Sequence, residues 1–573
     1  MSRQKWLKWV AAPMVLAFIL TGCNGSSNEN VSKTAANSTA ANGKPATWIA
    51  DRKIKGLVFM GTDDYTEDMN AEVKQKIKDL TGIDFEIQIM KANRSIEGLT
   101  AGLTSGDLPD FIAFYLNNSG RPEMKLVLKA ARDGMFTDLT PLMKDTKVYS
   151  KYLQNDYLPT DTKNSVMFRP EFKGSSYFVH MNIPRDGGYL TRKYVGGPYI
   201  RKDIAEALKI DPSQIKTTDQ LYKLAQQIKE GNFKDKNGKN VYPIGPGYWG
   251  TGNNKDYSIL FSDLMWGSDD QRIYQDANGN ILHEAETDFA MKKVEYMQKL
   301  FKEKLINTEM FTMDESRATE NVLNGSFTII GDMHNYQDFN QDGHFVPLGP
   351  LNKVNGPYQM QVDYKSGGSA WAIPSKTKNP QDIVKLADFL ASREGKLLWR
   401  YGIEGRDYTL DAKGNPIVKQ SVLDLKKNSP NEAKKLGFAG VGNNWGELLG
   451  STDIKNEADF GEAEYGDSVS PANSAGALAI AKMWNWDEKR ANAKIVDGYT
   501  PLAFMGEFKN VTALQAALDN YNVNLVKAYY SKDLTEAKKI LDSSLQQLKN
   551  AGMDDYLKLL SEKNADPKTK IKF

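Results

Sequence analysis

The residues of this chain best placed to do chemistry are aromatic and stand in glycine-rich or polar surroundings. Tyr248 and Trp249 lie in Gly245-Pro246-Gly247-Tyr248-Trp249-Gly250-Thr251-Gly252, where no helix offers them a core. Trp266 precedes Gly267, Trp371 closes Gly367-Gly368-Ser369-Ala370, and Trp445 stands between Asn444 and Gly446. A flat apolar ring can stack on the C–H face of a sugar while nearby polar groups bond its hydroxyls. Met333 and His334 follow a strand-like run and join this set. Arg406 could clamp a hydroxyl or a carboxylate, or could pair with Glu404 or Asp407 instead. Trp399, Trp484 and Trp486 read as core.

Asp338-Phe339-Asn340-Gln341-Asp342-Gly343 matches the first half of a calcium loop, but its last, bidentate carboxylate would fall at Gly349. Asp338, Asn340 and Asp342 therefore hold a structural calcium only if a carboxylate comes from elsewhere; otherwise they form a plain turn. No cofactor is required by any other pattern. The four His form no H-E-x-x-H pair, and no G-x-S-x-G elbow or phosphate-binding loop is present. No catalytic residue is expected. A glycosidase needs only two carboxylates, so a lipid-anchored glycoside hydrolase is the enzyme alternative.

The bulk numbers narrow the field further. The 573 residues exceed one ordinary core and call for at least two lobes. The 74 basic and 72 acidic side chains are interspersed and leave a formal charge of +2, without the basic patch that nucleic acid requires. Cys23 is the only cysteine, so an intrachain disulfide is excluded.

Residues 1–22 read as an export leader, with Arg3, Lys5 and Lys8 ahead of an apolar run too short to span a bilayer. The run ends in Leu20-Thr21-Gly22-Cys23, which resembles the bacterial lipobox. Cys23 would carry the lipid, and two or more acyl chains anchor stably. Residues 23–47 are rich in Ser, Asn, Ala and Gly and read as a flexible tether. The protein is expected at the outer face of the cytoplasmic membrane.

Beyond the tether, residues 54–60 read as a strand, 70–80 as a helix, 83–89 as a strand, 95–103 as a helix and 111–115 as a strand. This is the grammar of a parallel sheet with helical crossovers, in which ligands bind beyond the carboxyl ends of the strands. Tyr115 and Asn117 are thereby placed at a site edge. Residues 197–209 begin a second helical region, 287–304 form a long helix, and the chain is mostly helical from 511 to 562. Asn-Gly at 278–279 and Lys-Gly at 413–414 mark hairpin turns.

Several segments together resemble the large solute-binding lipoproteins of carbohydrate ABC importers. They are Thr81-Gly82-Ile83, Ser105-Gly106-Asp107-Leu108-Pro109-Asp110, Asp138-Leu139-Thr140-Pro141-Leu142, Ile200-Arg201-Lys202-Asp203 and Tyr401-Gly402-Ile403-Glu404-Gly405-Arg406-Asp407-Tyr408. The resemblance implies an α/β, two-lobed, periplasmic-binding-protein-like fold of type II with a helical C-terminal region. It implies an N-terminal lobe of residues 48–185 and 366–420 and a C-terminal lobe of residues 186–365 and 421–573, closing around ligand like a hinge. It implies capture of a sugar by a monomer, delivery to separate permease subunits, and no enzymatic role; a ligand-sensing surface protein is a further alternative. Some members of that family carry calcium at the place of Asp235–Lys239, but the two acidic residues expected further along are replaced here near Pro243 and Ile244.

Overall fold

A computed structural model describes residues 44–571 except 60–68, 91–94, 116–121, 156, 159–162, 181–195, 246–271, 277, 334–335, 337–338, 349–358, 363–368, 444, 446–467, 469–470, 484, 486–493 and 498–503. The first lobe is built on a five-stranded sheet in the order Ile83–Ile89, Arg52–Phe59, Phe111–Tyr115, Ser369–Ala372, Phe178–His180. The first three strands are parallel, and Ser369–Ala372 runs antiparallel to both its neighbours. Helix Ala71–Thr81 forms because Asn70 Oδ1 accepts from the Glu72 and Val73 amides and Val73, Ile77 and Leu80 share one buried face. It ends at Gly82, whose φ of +79° is open only to glycine at low cost and where a Cβ would stand 2.4 Å from the Ala50 carbonyl oxygen.

Alternation along these strands sends residues to two faces, and both are buried. One face carries Ile54, Val58, Phe111, Ala113, Val179 and Trp371; the other carries Phe59, Ile112, Phe114, Phe178 and Ala370. On the first face an aromatic row crosses the sheet. Phe85 stacks 6.1 Å from Phe111, and Phe111 stacks 4.1 Å from Trp371. The strand between Phe85 and Phe111 makes room with Gly56, where a Cβ would lie 2.1 Å from the Phe111 ring.

Asp388 closes this lobe from helix Pro380–Ala391. Its carboxylate accepts three backbone amides, from Lys147 at 2.8 Å, Val148 at 2.7 Å and Tyr149 at 3.1 Å. Burial pushes its carboxyl above the usual range, while the three donors pull it back.

The second lobe has a sheet ordered Phe345–Pro347, Gly196–Arg201, Phe327–Asp332, Tyr242–Ile244. Residues 196–201 are thus a strand, not the start of a helix; only Lys202–Ala207 is helical there. Tyr199 and Ile200 are consumed by ladder and core, which outweighs the local helical pattern. Helices Thr218–Glu230, Phe289–Lys302, Val511–Tyr529, Leu534–Asn550 and Met553–Ala565 share one core with this sheet through Leu221, Val294, Leu514, Leu548 and Leu560.

The chain leaves the first sheet after His180 and enters the second at Gly196; it leaves the second after Pro347 and re-enters the first at Ser369. The expected change of lobe at residue 420 comes too early. Val422, Ala433, Phe438 and Val441 cluster with Tyr401 and Tyr408, and Ala439 and Trp445 lie in the first lobe's core. Asn70 Nδ2 also donates to the Lys435 carbonyl at 2.9 Å. The second lobe is met again at Ile480.

Candidate functional site

In the first sheet the parallel strands end at Phe59, Ile89 and Tyr115. Register pairs Tyr115 with Ser369 and His180 with Ala370, so these residues share the sheet edge beyond which such folds bind ligand. Tyr115 is the last residue of its strand at that end. Cys23, Asn117, Tyr248, Trp249, Trp266, His334 and Asp338 lie outside the described residues.

Four other expected site residues are engaged elsewhere. Trp371 is fully buried within the aromatic row. Trp445 continues that row edge-on to Phe85 at 6.4 Å, and its indole N–H donates to the Gly437 carbonyl at 2.6 Å. Met333 is fully buried in the second lobe's core. Arg406 is a structural staple: it bonds Asp407 in bidentate fashion, Glu72 at the start of helix Ala71–Thr81, and the Leu436 carbonyl. None of the four offers a free group to a ligand in this arrangement.

The calcium pattern also resolves. Asn340 is buried, its Oδ1 accepts the Phe345 amide at 2.7 Å and its Nδ2 donates to the Phe345 carbonyl at 3.0 Å. Its amide closes a turn and is not free to ligate, while Asp342 is exposed. At the second place, Asp235 Oδ1 accepts from the Asn237 and Lys239 amides and Oδ2 from the Ser326 hydroxyl, so its turn closes on itself. Among the described residues no group of three His, Cys, Asp or Glu could hold a metal ion.

Sequence reasoning passed over His180, which is 1% exposed at the end of its strand. Both ring nitrogens are buried without a hydrogen-bond partner, and the ring stands edge-on to Phe178. Burial, with the Arg169 charge added to it, lowers the imidazole from 6.5 to about 3. The unfolded chain takes up that proton near pH 6.5, so the neutral ring's contribution is present above that pH and is lost as pH falls toward 3. His180→Phe keeps the ring and removes the proton site. Urea denaturation should show its stability advantage over wild type growing by about 2 kcal/mol between pH 7.5 and pH 5. A constant difference across that range would show that His180 is not held neutral.

Two sheets in separate lobes, with the chain passing between them more than once, define the class of two-lobed solute-binding folds. The chain belongs to the bacterial extracellular solute-binding protein family, whose model matches residues 63–397. It is similar to lipoprotein LipO of Bacillus subtilis, 23% identical over 421 residues that make up 70% of this chain and 74% of LipO. Its fold is similar to that of the alginate-binding protein AlgQ2 in a crystal structure without calcium ion. There the identity is 19% and the TM-score 0.62, with 91% of this chain and 99% of that one covered. It is also similar to the S. pneumoniae ABC-transporter substrate-binding protein FusA in complex with kestose, at 18% identity and TM-score 0.59, covering 89% and 98%. The family and these neighbours are binding proteins rather than enzymes. Among the described residues no helix is long and apolar enough to cross a membrane.

Proposed function

We propose that this protein captures a sugar or oligosaccharide between its two lobes and delivers it to the permease of an ABC importer. Membership of the extracellular solute-binding family carries this reading. The alginate and kestose named for two proteins of the same fold favour a carbohydrate over other solutes. Cys23 tethers the chain to the outer face of the membrane, in keeping with its similarity to a lipoprotein. The N-terminal lobe comprises residues 48–185, 366–420 and onward to Trp445; the C-terminal lobe comprises 186–365 and the chain from about Ile480 to the end. The ligand groups are Tyr115, Asn117, Tyr248, Trp249, Trp266 and His334. The protein acts as a monomer, and it binds rather than cleaves its ligand.

A thermal-shift series against mono- and oligosaccharides, neutral and acidic, tests this. A ligand at a hundred times its Kd adds about 2.7 kcal/mol to stability by mass action. One glycan class should raise the melting temperature and be recovered intact. EDTA should leave the melting temperature unchanged, because Asn340 and Asp235 are committed to their own turns. No shift with any glycan, or recovery of cleaved products, would overturn the reading.

A further inference from the structure

The lobes meet through charged side chains that the binding reading does not use. From the first lobe come Arg169 and Glu171, flanking Pro170, with side chains only 3% and 8% exposed and Nε to Oε1 at 2.6 Å. From the second come Glu507 and Lys563, paired at 2.7 Å and 16% and 15% exposed. Phe172 belongs to the first lobe's core and Met505 to the second's, so the contact joins two separately packed bodies. Asn164 Nδ2 reaches across the same junction to the Lys568 carbonyl at 3.2 Å.

The cluster is not fully satisfied. Glu171 Oε2 and Glu507 Oε1 are both buried without a hydrogen-bond partner. Two acceptors lack a donor, one on each lobe, and a single added proton supplies one. We propose that Arg169 and Glu171 of the first lobe, with Glu507 and Lys563 of the second, form a proton-sensitive latch that favours the lobe arrangement seen here as pH falls. The proposal rests on the two-lobed binding reading and concerns how that movement is regulated.

The electrostatics around Glu507 agree. Burial raises its carboxyl above the usual range; the bond from Lys563 opposes this, and the Glu171 charge raises it further. Arg169 acts in the opposite sense. Helix Pro122–Arg132, packed against the 505–507 turn, brings buried Glu123 near its start, while its Lys129 pairs with Asp133 at the other end. On the side of Glu507's own lobe, Lys509 and Glu562 are exposed. His180, which feels Arg169, stays neutral down to about pH 3 and adds no charge in the working range. With Glu507 ionised, two carboxylates from different lobes oppose each other in a poorly hydrated space. Protonation removes that repulsion and provides an O–H donor.

Small-angle X-ray scattering of the ligand-free protein between pH 7.5 and pH 5 tests the latch. The wild-type radius of gyration should change with a one-proton titration. Glu507→Gln should hold the wild-type acid value at every pH, since an amide is neutral and donates. Glu171→Gln, which removes the opposing charge, should lower the titration midpoint by up to about one pH unit, tenfold in proton affinity. A wild-type radius that does not respond to pH overturns the latch, and so does Glu507→Gln titrating like wild type. If Glu507→Gln does not fold, an unmoved midpoint in Glu171→Gln overturns the latch in its place. No glycan is present, so failure here with glycan binding intact counts against the latch alone.

Discussion

Trp371→Ala is expected to cost about 4 kcal/mol in urea denaturation and to leave glycan affinity per folded molecule unchanged. The indole is fully buried, 4.1 Å from the Phe111 ring, on a strand paired on both sides. Truncation removes most of a large apolar side chain and leaves a cavity between strands that cannot collapse without breaking register. The loss should also spread along the row. Phe111 covers Gly56 and stacks toward Phe85, so its ring would lose its support on one side. A ligand-stacking tryptophan behaves in the opposite way: its truncation spares stability and costs affinity. Measuring both quantities on one variant separates the roles, and an affinity loss with less than about 1 kcal/mol of destabilisation would return Trp371 to the cleft.

Local signals in the sequence served well where the physics is local. Asn70 and Gly82 bound a helix whose apolar spacing is plain, and the alternating strand, helix and strand from 52 to 115 specifies a parallel sheet. The misplaced residues share another property, in that their partners lie far away in the chain. Residues 367–373 read as a strand, and Ser369–Ala372 is one, but nothing in that run announces Phe111 as the neighbour of Trp371; Trp445 likewise is fixed by Phe85 and Gly437. The spacing of Asp338, Asn340 and Asp342 suits a cation and a tight turn equally well; the Phe345 backbone decides for Asn340. Arg406 stands beside Asp407 in sequence, yet its reach to Glu72 and Leu436 is what makes it a staple. The charge cluster between the lobes left no signal at all, since Arg169 and Glu507 come together only in the finished fold.

Glu284→Ala should be about as costly as losing Trp371, at about 3–5 kcal/mol, for a different reason. Glu284 is fully buried between two cations. Arg272 Nη1 lies 3.3 Å from its Oε2, and Lys293 Nζ lies 3.1 Å from its Oε1 in ion-pair contact without hydrogen-bond alignment. Both cations are themselves 3% exposed or less. Removing the carboxylate leaves two positive charges out of water without their shared counter-charge, and that desolvation is the source of the cost. The cluster also fixes geometry. Arg272 holds a φ of +54°, a conformation that costs a non-glycine residue about 1–2 kcal/mol, and its Nε donates to Asn522 Oδ1 at 2.6 Å on helix Val511–Tyr529. The side chain thus offsets a strained backbone at the point where the hairpin of Ile273–Gln275 and Ile281–His283 begins. His283 reinforces the same docking, its ring edge-on to Tyr521 at 5.0 Å. Exchanging the whole set, as Arg272→Met with Glu284→Leu and Lys293→Met, removes every charge together and should recover most of the loss. Urea denaturation of the single and triple variants decides the matter. A single variant within about 1 kcal/mol of wild type would show that water reaches the cations. A triple variant as unstable as the single one would show that the bonds to helix Val511–Tyr529, not the desolvated charges, hold the hairpin in place.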